Sequence, residues 1–172
     1  TFTYTQSIER LYIPNGNDNN VSVIDLASNS VIATINVGTR PQGVGVHPDG
    51  KKVYILNESS NDVSVIDVAS NTVESTIDVG SFPIGTAFNA DGSRLYVTNV
   101  SDKNISVINT ATNTVVNTIT TGAAPWGIAL SPDDSKIYVA NQSDDNVSVI
   151  NANTGATITT IGVQNIPYDV AL

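Results

Sequence analysis

The residues best suited to touch a ligand lie in four short segments around proline. They are Thr39-Arg40-Pro41-Gln42, Ser81-Phe82-Pro83-Ile84, Ala123-Ala124-Pro125-Trp126 and Asn165-Ile166-Pro167-Tyr168. The prolines are 42 residues apart, and the residues beside them differ from copy to copy. Arg40, Gln42, Phe82, Trp126 and Tyr168 thus bring a guanidinium, an amide and three aromatic rings to equivalent places. Flat apolar rings with a few fixed donors, carried on loops, are what a ligand platform needs. The competing role for Trp126 and Tyr168 is to seal the contact between neighbouring units, and on residue type alone that role weighs more.

Other chemistry is thinner. Asp18, Glu58, Asp62, Asp102, Asp144 and Asp145 recur in polar loops and offer oxygen ligands. They lack any calcium-loop spacing, so solvated loop charge is the expectation and no metal or cofactor is expected. His47 is the only histidine, and it reads as a turn residue in His47-Pro48-Asp49-Gly50. There is no cysteine, nucleophile elbow, phosphate loop or dinucleotide glycine pattern, so no catalytic residue is assigned. Six Asn-x-Ser sequons, at Asn20, Asn57, Asn99, Asn104, Asn141 and Asn146, are possible glycan acceptors.

What positions these residues is an internal repeat. Tyr12, Tyr54, Tyr96 and Tyr138 keep the 42-residue spacing, as do Asn15, Asn57, Asn99 and Asn141. The second unit contains four runs with strand character. Gly43-Val44-Gly45-Val46 suits a crowded innermost strand, and Val53-Tyr54-Ile55-Leu56 follows the turn. Val63-Ser64-Val65-Ile66-Asp67 alternates, and Thr72-Val73-Glu74-Ser75-Thr76-Ile77 completes the set. Four short strands in a repeat of about 40 residues define a β-propeller blade. The fold class is therefore all-β: four antiparallel blades plus one extra strand, which can be an arc of a larger ring, an arc completed by other copies or a closed four-bladed ring. The blades fall at approximately 1–38, 43–80, 85–122 and 127–163, with the extra strand at 169–172. Thr1 to Thr5 aligns with the innermost strand, so the chain opens in mid-pattern, as expected of a processed product or a fragment. Val44, Val46, Tyr54, Val63, Val65 and Ile77, with their equivalents, are the expected core.

Because strands alternate in direction, the proline crossovers and the acidic loops share one face of the ring, near its axis. The other two turns of each blade lie on the opposite face.

Leu95-Tyr96-Val97-Thr98-Asn99, Asn104-Ile105-Ser106-Val107-Ile108-Asn109 and Ala111-Thr112-Asn113-Thr114-Val115 resemble the YVTN β-propeller repeat. Pro14 and Gly155 depart from its pattern. The resemblance implies a ring of more than four blades, commonly seven. It also implies an extracellular, cell-surface or periplasmic setting like that of surface-layer proteins.

Composition narrows the partners. The net charge is −9, and Lys and Arg number seven, too few to displace the counterions of duplex nucleic acid. Membrane insertion is not expected either. The expected partners are a protein or carbohydrate surface, and other copies through the end blades. The function expected from the resemblance and the missing motifs is a non-enzymatic surface-layer, structural or binding scaffold. The alternative is an arc of a lactonase-like or lyase-like propeller whose site is completed by other blades.

Overall fold

A computed structural model describes residues 9–172. Fifteen antiparallel strands, and no helix among the described residues, form four separate sheets. The first contains β1 (Arg10–Asn15), β2 (Asn20–Asp25) and β3 (Ser30–Asn36). The second contains β4 (Pro41–Val46), β5 (Lys52–Asn57), β6 (Asp62–Asp67) and β7 (Thr72–Asp78). The third runs β8 (Pro83–Phe88), β9 (Arg94–Asn99), β10 (Asn104–Asn109) and β11 (Thr114–Thr120). The fourth runs β12 (Pro125–Leu130), β13 (Lys136–Asn141), β14 (Asn146–Asn151) and β15 (Thr157–Gly162). Strand order follows chain order in every sheet, as in propeller blades. The strand expected over Thr1 to Thr5 lies outside the described residues. Asp169 to Leu172 forms no ladder. It approaches the fourth blade through a hydrogen bond from Gly127 N to Tyr168 O, 2.9 Å long.

The turns repeat as faithfully as the strands. The outer hairpins turn through Asn29, Asn71 and Asn113 in the left-handed region, at φ of 51°, 55° and 52°. Gly155 occupies the equivalent place at 73°, so its departure from the motif preserves the turn. Each outer pair also carries a β-bulge at the same position, between Val23/Ile24, Val65/Ile66, Val107/Ile108 and Val149/Ile150.

Three apolar cores separate the four sheets. Tyr12, Val21 and Val23 meet Val53, Ile55 and Ile66. Tyr54, Val63, Val65 and Ile77 meet Leu95, Val97 and Ile108. Tyr96, Ile105, Val107 and Ile119 meet Ile128, Ile137, Val139 and Ile150. One part of the expected core is corrected: Val44 and Val46 are 39% and 55% exposed. Their strand is innermost and borders the axis, so part of its side chains have no facing sheet to bury them. The innermost strands β4, β8 and β12 instead stand side by side.

Candidate functional site in the axial groove

The axis is built by glycine. At Gly43 and Gly85 a Cβ would overlap the carbonyl oxygen of Ile84 and Trp126, respectively, on the next innermost strand. Only a residue without a side chain admits this approach. One residue earlier, at Gln42, Ile84 and Trp126, the pairing with the second strand of the blade is interrupted. Such bulges re-aim side chains. Here they turn Gln42, Ile84 and Trp126 toward a groove along the axis.

The crossovers that deliver these residues are clamped from both sides. The amides of Arg40, Phe82 and Ile166 donate to the side-chain oxygens of Asn19, Asn61 and Asp145, 21 residues earlier. The amides of Thr39, Ser81 and Ala123 donate to Ser60, Asp102 and Asp144, 21 residues later. Loop and crossover therefore share one face of the ring. The clamps hold an unfavourable backbone: Arg40, Phe82, Ala124 and Ile166, each just before proline, have φ of 57°, 63°, 52° and 59°. A non-glycine residue there costs roughly 1–3 kcal/mol, most for β-branched Ile166.

The groove has two adjoining parts that share Trp126. The outer part, about 240 Å³, is lined by Arg40, Gln42, Glu58, Phe82, Ile84 and Trp126. The inner part, about 410 Å³, includes Val44, Thr86, Ile128, Tyr168 and Asp169. Arg40 Nη1 lies 2.8 Å from Glu58 Oε1, with the Arg40 side chain 54% and that of Glu58 3% exposed. Trp126 and Tyr168 stand edge to face, with ring centres 5.4 Å apart. The indole Nε1 of Trp126 and Oγ1 of Thr86 are buried without a hydrogen-bond partner.

All five residues singled out by the repeat thus meet along one groove, and Trp126 both seals and lines it. Sequence reasoning missed Glu58, Thr86 and Asp169. Glu58 is corrected from solvated loop charge to a buried, paired carboxylate. Its signal was available, because Gly16, Val100 and Gln142 stand at the equivalent positions. Asp169 likewise stands where earlier units have Gly43, Gly85 and Gly127.

The sequons divide. Asn57, Asn99 and Asn141 are fully buried, and each Nδ2 donates to a serine and to Asp62, Asn104 or Asn146. As accessible acceptors in the folded chain these three are therefore corrected. Asn20, Asn104 and Asn146 are partly exposed. His47 lies in its turn, away from the groove. Its Nε2 is 3.0 Å from Gly92 O, and its Nδ1 is 2.7 Å from Asp49 Oδ1. Asp49 is held below the usual carboxylate range by the Lys51 amide first, then by His47. Among the described residues no group of three or more potential metal-binding side chains clusters.

Comparison with known proteins agrees with this geometry. A chain described as Kuenenia stuttgartiensis Hydrazine Synthase superposes with a TM-score of 0.85 at 24% identity, over 95% of this chain. The match spans 52% of that chain, about half its length, and shows the fold. No curated protein matches the sequence. The family model described as Lactonase, 7-bladed beta-propeller, matches residues 45–168, which hold the third and fourth blades, the second blade from within β4 onward, the last three crossovers and both aromatic residues of the inner groove. On that match the chain belongs to the seven-bladed β-propeller lactonase family.

Proposed function

We propose that the chain is a non-catalytic binding module that holds a small polar ligand in its axial groove. The observation that carries this reading is Trp126. Its indole lines both parts of the groove and meets Tyr168 edge to face. A flat aromatic wall beside a few fixed polar groups is what a small-molecule site needs. Arg40, fixed by Glu58, presents donors beside it. Trp126 is the only tryptophan, so its fluorescence reports occupancy directly. Titration with gluconate, choline and glucose should give a saturable change for at least one probe, and Arg40→Ala should weaken any response to gluconate or glucose severalfold. Calorimetry on Trp126→Phe should show weaker heat for the same probe. A flat response to all three sinks the reading.

A second reading follows from the family name, lactone hydrolysis, and from one observation, the buried Glu58 carboxylate in the groove. There Glu58 takes a proton from the attacking water while Arg40 stabilises the developing oxyanion, and as the acyl–oxygen bond breaks the ring oxygen takes that proton back from Glu58. Gluconolactone opening above the uncatalysed rate, lost in Glu58→Gln, supports it, and an unchanged rate removes it.

The setting we propose is extracellular or on the cell surface, in keeping with the YVTN-type repeat and a surface made polar by Asn, Ser and Thr more than by charge. Leu11, Ile13 and Ile161 are exposed on the end blades. Their repeat equivalents Val53, Ile55 and Ile119 are buried between sheets. Those faces suit another blade of the same repeat, whichever chain supplies it.

A further inference from the structure

We propose that the inner part of the axial groove takes an organic ammonium group, seated between the Asp169 carboxylate and the Trp126–Tyr168 pair. The proposal rests on the reading of the groove as a ligand site and adds the ligand's charge. Three independent observations carry it.

The first is Asp169 itself. The innermost strands carry glycine at this position in three units; at Gly43 and Gly85 a side chain would strike the next innermost strand, and at Gly127 it would strike Asp169 itself. At Asp169 a carboxylate stands instead, and it lines the groove. Its Oδ1 accepts from Val170 N at 2.9 Å, and no cation among the described residues pairs with it. The other groove carboxylate, Glu58, is already matched by Arg40.

The second is the aromatic pair. Tyr168 stands beside Trp126, and the two planes meet at 88°. Rings at right angles present a face and an edge to the same space. A cation over an aromatic face is attracted by the ring quadrupole, most strongly at tryptophan. The apolar side chains of Val44, Ile84 and Ile128 complete the wall, which suits alkyl groups on nitrogen better than a bare metal ion.

The third is the long-range field. A net charge of −9 raises the local concentration of small cations and repels anions.

The test uses the intact chain and its tryptophan fluorescence. Choline is the probe, 3,3-dimethyl-1-butanol its uncharged isostere, and gluconate the anionic control. The expected result is a saturable response to choline, at least tenfold weaker for the isostere. Asp169→Asn and Asp169→Gly should each weaken choline at least tenfold, and Tyr168→Leu severalfold, with unchanged circular dichroism. Equal binding of the isostere, or choline binding indifferent to both Asp169 variants, overturns the cation assignment. A response to gluconate without one to choline overturns it too, yet leaves the groove a ligand site. Silence from every probe removes both readings.

Discussion

Arg40 and Glu58 tie the crossover between the first two blades to the loop of the second, through a 2.8 Å contact between Nη1 and Oε1. The backbone repeats the tie, since Glu58 N donates to Arg40 O at 3.0 Å. A buried carboxylate therefore fixes a guanidinium that is itself half in water, which orients Arg40 without neutralising all its donors. Arg40→Ala should lower stability by about 1–2 kcal/mol. That is less than the roughly 3–5 kcal/mol of a fully buried pair, because solvent already screens the guanidinium. Adding Glu58→Gln should recover part of the loss. Urea unfolding of the two single variants and the double variant measures this coupling, and strict additivity would show that the pair is energetically idle.

The cores between sheets and the axial wall should respond differently to truncation. Ile66 is fully buried in the contact between the first two blades, whereas Val46 is 55% exposed. Ile66→Ala should cost about 2–5 kcal/mol. Val46→Ala should stay within roughly 0.5 kcal/mol, as surface substitutions do. Denaturation midpoints at constant m-value give the comparison, and a reversed order would contradict the sheet register.

Alkaline titration should show two late tyrosines, Tyr54 and Tyr96, both pushed up by burial, with Tyr54 the later. Burial, followed by the nearby charges of Glu74 and Asp49, pushes the Tyr54 hydroxyl up to about 12. That hydroxyl donates to Asn113 Oδ1 across the blade interface at 3.2 Å. The folded pKa is raised, so the unfolded chain loses this proton first. The contribution to stability is whole below about pH 10, the unfolded value, and declines as pH rises through about 12. Tyrosinate absorbance should develop later in wild type than in the unfolded chain, and Tyr54→Phe should remove the latest step while that of Tyr96 stays. Titration of all tyrosines together near their ordinary value in folded protein would refute the burial.

Expression in a host that glycosylates Asn-x-Ser should place glycans on Asn20, Asn104 or Asn146 in the folded, secreted product. Peptide mass spectrometry should find Asn57, Asn99 and Asn141 unmodified, because their amides are buried and donate twice. Glycans on folded protein at those three would mean that the inner network opens.

The fold was legible because periodicity is a property of the chain. Tyr54, Tyr96 and Tyr138 announce their spacing without any knowledge of what they pack against. The site was half legible for the same reason. Trp126 and Tyr168 depart from a repeated background, and departure can be seen without coordinates. Glu58 departs as clearly, yet its burial depends on Arg40 reaching across a blade boundary, which spacing does not encode. Val46 misled because alternation along a strand says which side chains share a face, not whether a second sheet lies opposite.

The clamps on the crossovers carry a consequence for how such a groove changes. Asn19, Asn61 and Asp145 grip backbone amides, as Ser60, Asp102 and Asp144 do from the other side. None of these grips uses the side chain at Gln42, Ile84, Trp126 or Tyr168. Frame and lining are therefore inherited separately along the chain. Exchange of one 42-residue unit for another would re-line a single sector and leave the frame closed around it. A protein of this kind can trade one ligand for another by shuffling whole units, without passing through an unfolded intermediate.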